Sequence, residues 1–199
     1  MPLHLIWGDN SAAIENEIKI LIKEIINPAW ASINLTKLNG SDPLQASNAL
    51  KEARTPPLGS GGRLIVLTQS PFCNGCNSEL AKEFESSIEL IPATSVLVLI
   101  NSNKPDGRLK TTKKIQQLIK EKLAIEKSYL LPTTWDIAGQ CELVVKAAKE
   151  FGLTIEQEAI EMIVDSIGTD SLRLKNEMEK LSIHSGIKSK HSQSQTYAK

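Results

Sequence analysis

Ser95-Val96-Leu97-Val98-Leu99-Ile100 is the run whose reading decides the fold. Every residue after the serine is aliphatic, so both faces of an extended segment here are apolar and neither can face water. A strand of that kind belongs in a parallel sheet with helices on each side. The same pattern recurs on both sides of it. Upstream, Arg63-Leu64-Ile65-Val66-Leu67 is an apolar strand, Ile33, Leu35 and Leu38 form a weaker one, and Leu3-His4-Leu5-Ile6-Trp7 opens the chain as a strand closed by Gly8-Asp9-Asn10. Downstream, Ile125 to Leu130 is the last strand.

Helical spacing fills the gaps between these strands. Ile14, Ile18, Leu21, Ile22 and Ile25 mark a helix ended by Asn27-Pro28. Asp42 as N-cap and Pro43 at the first helical position open another, running to about Ala53. Leu80, Phe84 and Ile88 mark a third, stopped before Pro92, and Leu109 to Leu123 reads as a basic amphipathic helix. Strands alternating with helices define an α/β domain over residues 1–131. After Leu131-Pro132 the pattern changes to three helices. Ile137, Cys141, Val144, Val145, Ala148 and Phe151 line the first. A capping box of Thr154 and Gln157 opens the second, which carries Ile155, Ala159, Met162, Ile163 and Ile167 and ends at Gly168. Asp170 caps the third, lined by Leu174, Met178 and Leu181. Residues 132–186 are thus a small helical domain. Residues 187–199 hold almost nothing apolar, and a disordered tail is expected there.

Composition narrows the function classes. The 199 residues carry 23 Lys+Arg against 23 Asp+Glu, so no global field favours nucleic acid or acidic ligands. The start has no signal-peptide pattern and no stretch is long enough to span a bilayer, so no membrane partner is expected. Three cysteines, an odd number, argue against a disulfide framework and for a cytoplasmic protein.

The turn after the first strand is where an α/β nucleotide-binding protein keeps its phosphate loop. Here it reads Gly8-Asp9-Asn10-Ser11-Ala12-Ala13, with no glycine-rich cradle, no lysine at the needed spacing, and an aspartate where phosphate would sit. The strand at Leu64 ends in Thr68-Gln69-Ser70, without a carboxylate for magnesium. No cofactor is therefore expected, and no ATPase or other catalytic site. Cys73-Asn74-Gly75-Cys76 is the one enzymatic temptation, as a thiol-disulfide pair or half of a zinc site. Zinc needs more ligands, and Cys141, His4, His184 and His191 are not at ligand spacing, so a cysteine-bearing surface turn is the plainer reading. Arg108, Lys110, Lys113, Lys114, Lys120 and Lys122 put a basic face on the helix after the Val96 strand. The first four are candidate DNA contacts, with a solvated helix face as the alternative.

Thr55-Pro56-Pro57-Leu58-Gly59-Ser60-Gly61-Gly62 is neither helix nor inner strand. Two prolines fix their φ angles and remove two backbone donors, and three glycines follow. Leu58 is held on a stiff proline pair with no helical or strand face to bury it. It is either tucked under by the fold or offered to a partner.

These parts together resemble the delta subunit family of bacterial DNA polymerase III, the clamp-loader component that opens the sliding clamp. The most specific piece is Gly168-Thr169-Asp170-Ser171-Leu172-Arg173-Leu174-Lys175-Asn176-Glu177-Met178-Glu179-Lys180-Leu181, which is similar to the family's Gly-x-Asp-(x)-Leu-x-Asn-Glu-Leu-Glu-Lys-Leu pattern. Thr55 to Leu64 and Asn103-Lys104-Pro105-Asp106-Gly107-Arg108-Leu109-Lys110 look like the cyanobacterial branch. The resemblance implies an AAA+-like parallel sheet without a working ATP site, within a holoenzyme that is a DNA-directed DNA polymerase (a nucleotidyltransferase). It implies the sliding clamp (beta subunit), the gamma/tau and delta-prime loader subunits, and DNA through the assembled loader as partners. It places the clamp-binding element on Pro56, Pro57 and Leu58, where proline replaces the first of the family's usual pair of large side chains. Family members also carry a third, helical collar domain, for which residues 1–199 offer no segment.

Overall fold

In the computed structural model, residues 2–185 are described; the tail expected over 187–199 lies outside them. Five strands form one sheet: β1 (Leu3–Trp7), β2 (Leu35–Asn39), β3 (Arg63–Thr68), β4 (Ser95–Asn101) and β5 (Ala124–Ser128), in the order β2-β3-β4-β1-β5. Every neighbouring pair is parallel, with Leu5 opposite Leu99 and Ile65 opposite Leu97. All seven residues of β4 are buried, as its two apolar faces require.

The alternation of side chains divides the core into two layers. On one face Leu3, Leu5, Ile65, Leu67, Leu97 and Leu99 meet α3 (Pro43–Ala53), α4 (Ser78–Ile88) and α5 (Lys110–Lys120). Phe84 of α4 is fully buried here with its ring centroid 4.6 Å from that of Phe72, and truncating it to alanine costs about 3–5 kcal/mol. On the other face Ile6, Leu64, Val66, Val96, Val98 and Ile100 meet Ile14 and Leu21 of α1 (Ser11–Ile25). The Asp42 carboxylate accepts from the Leu44 amide 2.9 Å away and Pro43 follows it, so α3 starts where its cap and proline dictate.

The chain divides into two compact units, one of residues 1–9 and 14–129, the other of residues 10–13 and 130 onward. The second contains α6 (Ile137–Glu150), α7 (Gln157–Ile167) and α8 (Ser171–His184) around Val144, Phe151, Ile160, Val164, Leu174 and Met178. Asp136 and Asp170 cap α6 and α8 through the amides of Gly139 and Arg173, and Gly168 ends α7 at φ +62°.

Several local expectations give way. Ile33 is not in a strand: Pro28–Trp30 forms a 3-10 turn, Ala31–Asn34 a short helix α2, and β2 begins only at Leu35. The capping box of Thr154 and Gln157 does not form, since α7 opens two residues later with Glu156 at its N-cap. On α8 the buried row is Leu174, Met178 and Ser182, and Leu181 is exposed. Ile137 and Met162 also face solvent.

Candidate functional site

The loop from α3 to β3 presents Leu58 with its side chain outside and its backbone fixed. Pro56 is exposed, Pro57 partly buried, and Leu58 is 53% exposed. The Leu58 N–H donates to Asn34 Oδ1 at 2.9 Å, and Asn34 Nδ2 donates to the Leu58 carbonyl at 2.8 Å. Asn34, the last residue of α2, is fully buried. One side-chain amide thus serves both backbone groups of Leu58, as a residue on a neighbouring strand would.

The glycines beyond Leu58 are required by close approach. A Cβ on Gly59, at φ +72°, would lie 2.2 Å from the Trp30 indole. Gly61, at φ +91°, passes the Asn27 backbone, where a Cβ would come within 2.8 Å of the amide nitrogen. Asn27 Nδ2 donates to Ser60 Oγ at 2.7 Å, and the Gly62 amide donates to the Ile25 carbonyl at 2.7 Å. Ahead of the prolines, the Thr55 carbonyl accepts from Ser95 Oγ at 3.0 Å. After the loop, Arg63 forms an ion pair with Glu52 of α3. Leu58 and the residues through Gly62 therefore rest on a platform built from Ile25 to Asn34.

The basic positions are only partly a common face. Arg108 precedes α5 rather than sitting on it, and its guanidinium grips Asp106, holding that carboxyl down at about 2. Lys114 pairs with Glu89 at 2.5 Å. Lys110 and Lys113 are exposed on the first turn of α5. The helix is shorter than its apolar pattern suggests, and Lys122 lies beyond it at φ +60°.

The Cys73-to-Cys76 turn is not simply a surface feature. Cys73 is fully buried against the sheet and Cys76 half-buried; both are free thiols. Burial pushes the Cys73 thiol up to about 12 and the Cys76 thiol to about 11, so neither is a ready thiolate. Among the described residues no group of three or more His, Cys, Asp or Glu could hold a metal ion.

The residues after β1 do not fit a nucleotide. Gly8 packs so closely on Tyr129 that a Cβ would lie 1.9 Å from the Tyr129 carbonyl oxygen. At the start of α1 the Ala12 amide donates to Ser171 Oγ at 3.3 Å and the Ala13 amide to Asn10 Oδ1 at 3.1 Å. Amides that would cradle phosphate are already bonded within the protein.

Two features had no signal in the sequence. Asn34 lies between Ile33 and Leu35, in a stretch the sequence pattern reads as a strand, so its place at the end of a short helix gives no signal. Buried Glu17 on α1 accepts from Lys127 Nζ at 2.6 Å and from the Tyr129 hydroxyl at 2.7 Å, close to His4. Nothing in the spacing of these residues pointed to a cluster.

Comparison with known proteins then identifies the lineage. The family model "DNA polymerase III, delta subunit" matches residues 4–125, more than half of the chain. The chain belongs to that family. Among solved structures it is similar to the Bacillus subtilis DNA clamp loader delta protein YqeN, with TM-score 0.69 and 21% identity over 95% of this chain and 55% of that one. It is also similar to a DNA polymerase III gamma subunit-related protein of Thermotoga maritima, with TM-score 0.51 and 14% identity over 91% of this chain and 55% of that one. No curated protein matches it by sequence. The architecture is AAA+-like, and the chain spans about half the length of the solved structures it matches. No helix of the described residues is long and apolar enough to cross a membrane.

Proposed function

We propose that this chain is the clamp-binding part of a delta subunit: it seats Leu58, flanked by Pro56 and Pro57, in a pocket of the sliding clamp (the beta subunit) and favours the open ring during DNA replication. The observation that carries the reading is an apolar side chain 53% exposed on a backbone held from both sides. A stiff presenting loop loses little freedom on docking, so more of the contact energy appears as affinity. The residues after β1 support the accompanying reading that ATP acts on the gamma/tau and delta-prime neighbours rather than here. Opening needs no chemistry. The chain binds the open clamp more tightly than the closed one, and that difference is all the energy available to part the ring. Such a replication factor works in the cytoplasm, meeting DNA through the assembled loader.

The thiol-disulfide alternative is disfavoured by the raised Cys73 and Cys76 thiols. A stand-alone DNA-binding module is disfavoured by the ion pairs that occupy Arg108 and Lys114. The test is Leu58→Ala. We expect a loss of about 2 kcal/mol or more in clamp affinity, the size of a central anchor. The urea midpoint should hold, because the side chain is not part of the core. A folded Leu58→Ala protein that binds the clamp normally overturns the site.

A further inference from the structure

We propose that Asn34 is the positioning residue of the clamp contact, holding the Leu58 backbone in the docking conformation; the inference rests on the clamp reading of Leu58. Asn34 spends its buried amide on Leu58 alone among the bonds that define the loop tip, accepting at Oδ1 and donating from Nδ2. The prolines cannot do this. They stiffen the approach, but they supply no donor, and beyond Leu58 the chain is Gly59-Ser60-Gly61-Gly62, the most flexible sequence a loop can have. The ties beyond Leu58, from Asn27 to Ser60 and from Gly62 to Ile25, hold the exit of the loop, and the two bonds to Asn34 act on Leu58 itself and orient the leucine.

The consequence for binding is a population effect. If the competent loop is only a fraction of the ensemble, apparent affinity falls by that fraction although every clamp contact is intact. Asn34 therefore sets affinity without touching the partner. Its amide is specific in a way that shape is not. Aspartate has the same outline but no donor, and as a carboxylate it would set a buried negative charge against the Leu58 carbonyl oxygen. Protonation restores the donor: a neutral carboxyl accepts from the Leu58 N–H and donates to the Leu58 carbonyl, as the amide does. Burial raises the pKa of such a carboxyl, bringing the change into a measurable range.

Clamp affinity is therefore measured for wild type, Asn34→Asp, Leu58→Ala and the double variant, between pH 8 and pH 6, each beside wild type at the same pH. At pH 8 Asn34→Asp should bind about tenfold or more weakly, the effect of a buried group losing its partner. It should recover toward wild type as the pH falls, and Leu58→Ala should not. In the Leu58→Ala background, Asn34→Asp should cost nothing further, because Asn34 acts through Leu58. Should Asn34→Asp fail to fold, Asn34→Ala replaces it and should show the same non-additive loss without pH dependence. A folded Asn34 variant that binds like wild type at pH 8 overturns the proposal, as does a loss equally large with Leu58 already removed. If Leu58→Ala itself binds normally, the clamp reading has failed first, and the proposal falls with it.

Discussion

Leu58 and His4 show how much a single residue's surroundings decide. Leu58 was legible because its neighbours are extreme: two prolines before it and three glycines soon after leave a leucine no regular face. Asn34 was not legible, since no rule of spacing ties a polar residue at the end of a four-residue helix to a loop 24 positions on. His4 reads from the sequence as a strand residue and, by its spacing, not as a metal ligand. It is buried with Nδ1 lacking a hydrogen-bond partner, and burial above all, with nearby positive charges that include Lys127, holds its pKa below the ordinary 6.5 against the pull of Glu17. The unfolded chain then takes up a proton near pH 6.5 that the folded protein refuses. Stability from this source is full above pH 6.5 and declines as the pH falls toward the lowered folded value. His4→Val should remove that decline, flattening the thermal midpoint between about pH 6.5 and pH 5. Glu17 acts on a separate, more acid limb. Burial would raise its carboxyl, but the bonds from Lys127 and Tyr129 hold it below 4.5, so its contribution is lost only as the pH falls through that lower range. A midpoint curve for His4→Val that keeps the wild-type slope above pH 5 would contradict the assignment.

At the scale of elements, legibility followed the strength of the local signal. Caps and prolines fixed α3, and two-sided apolarity fixed β3 and β4, because nothing competes with burial in such runs. Helix ends without a capping side chain were overrun: α5 stops at Lys120, where the pattern suggested Leu123. The start of α1 combines both lessons. Its sequence lacks the lysine and glycines of a phosphate turn, and the folded chain uses the Ala12 and Ala13 amides internally. ATP should therefore not bind, and titration calorimetry with magnesium should give no heat of association. Micromolar, magnesium-dependent binding would contradict this account of the element.

For the whole molecule, the sequence pattern announced an α/β sheet followed by a helical bundle. It did not announce that residues 10–13 group with the bundle, because the first turn of a continuous helix looks like the rest of that helix. Leu58 lies on the α/β unit, on a loop tied to Ile25 at the end of α1, to Asn27 and to Asn34 of α2, so the tip is braced by the body of the unit at three points. That stiffness is what a protein needs if it is to favour the open form of a ring. The most direct measurement is release of a sliding clamp loaded on nicked circular DNA, with this chain added alone and no ATP. The account predicts that the wild-type chain frees the clamp and that Leu58→Ala leaves it on the circle. A chain that binds the clamp tightly yet leaves it on the DNA would contradict it.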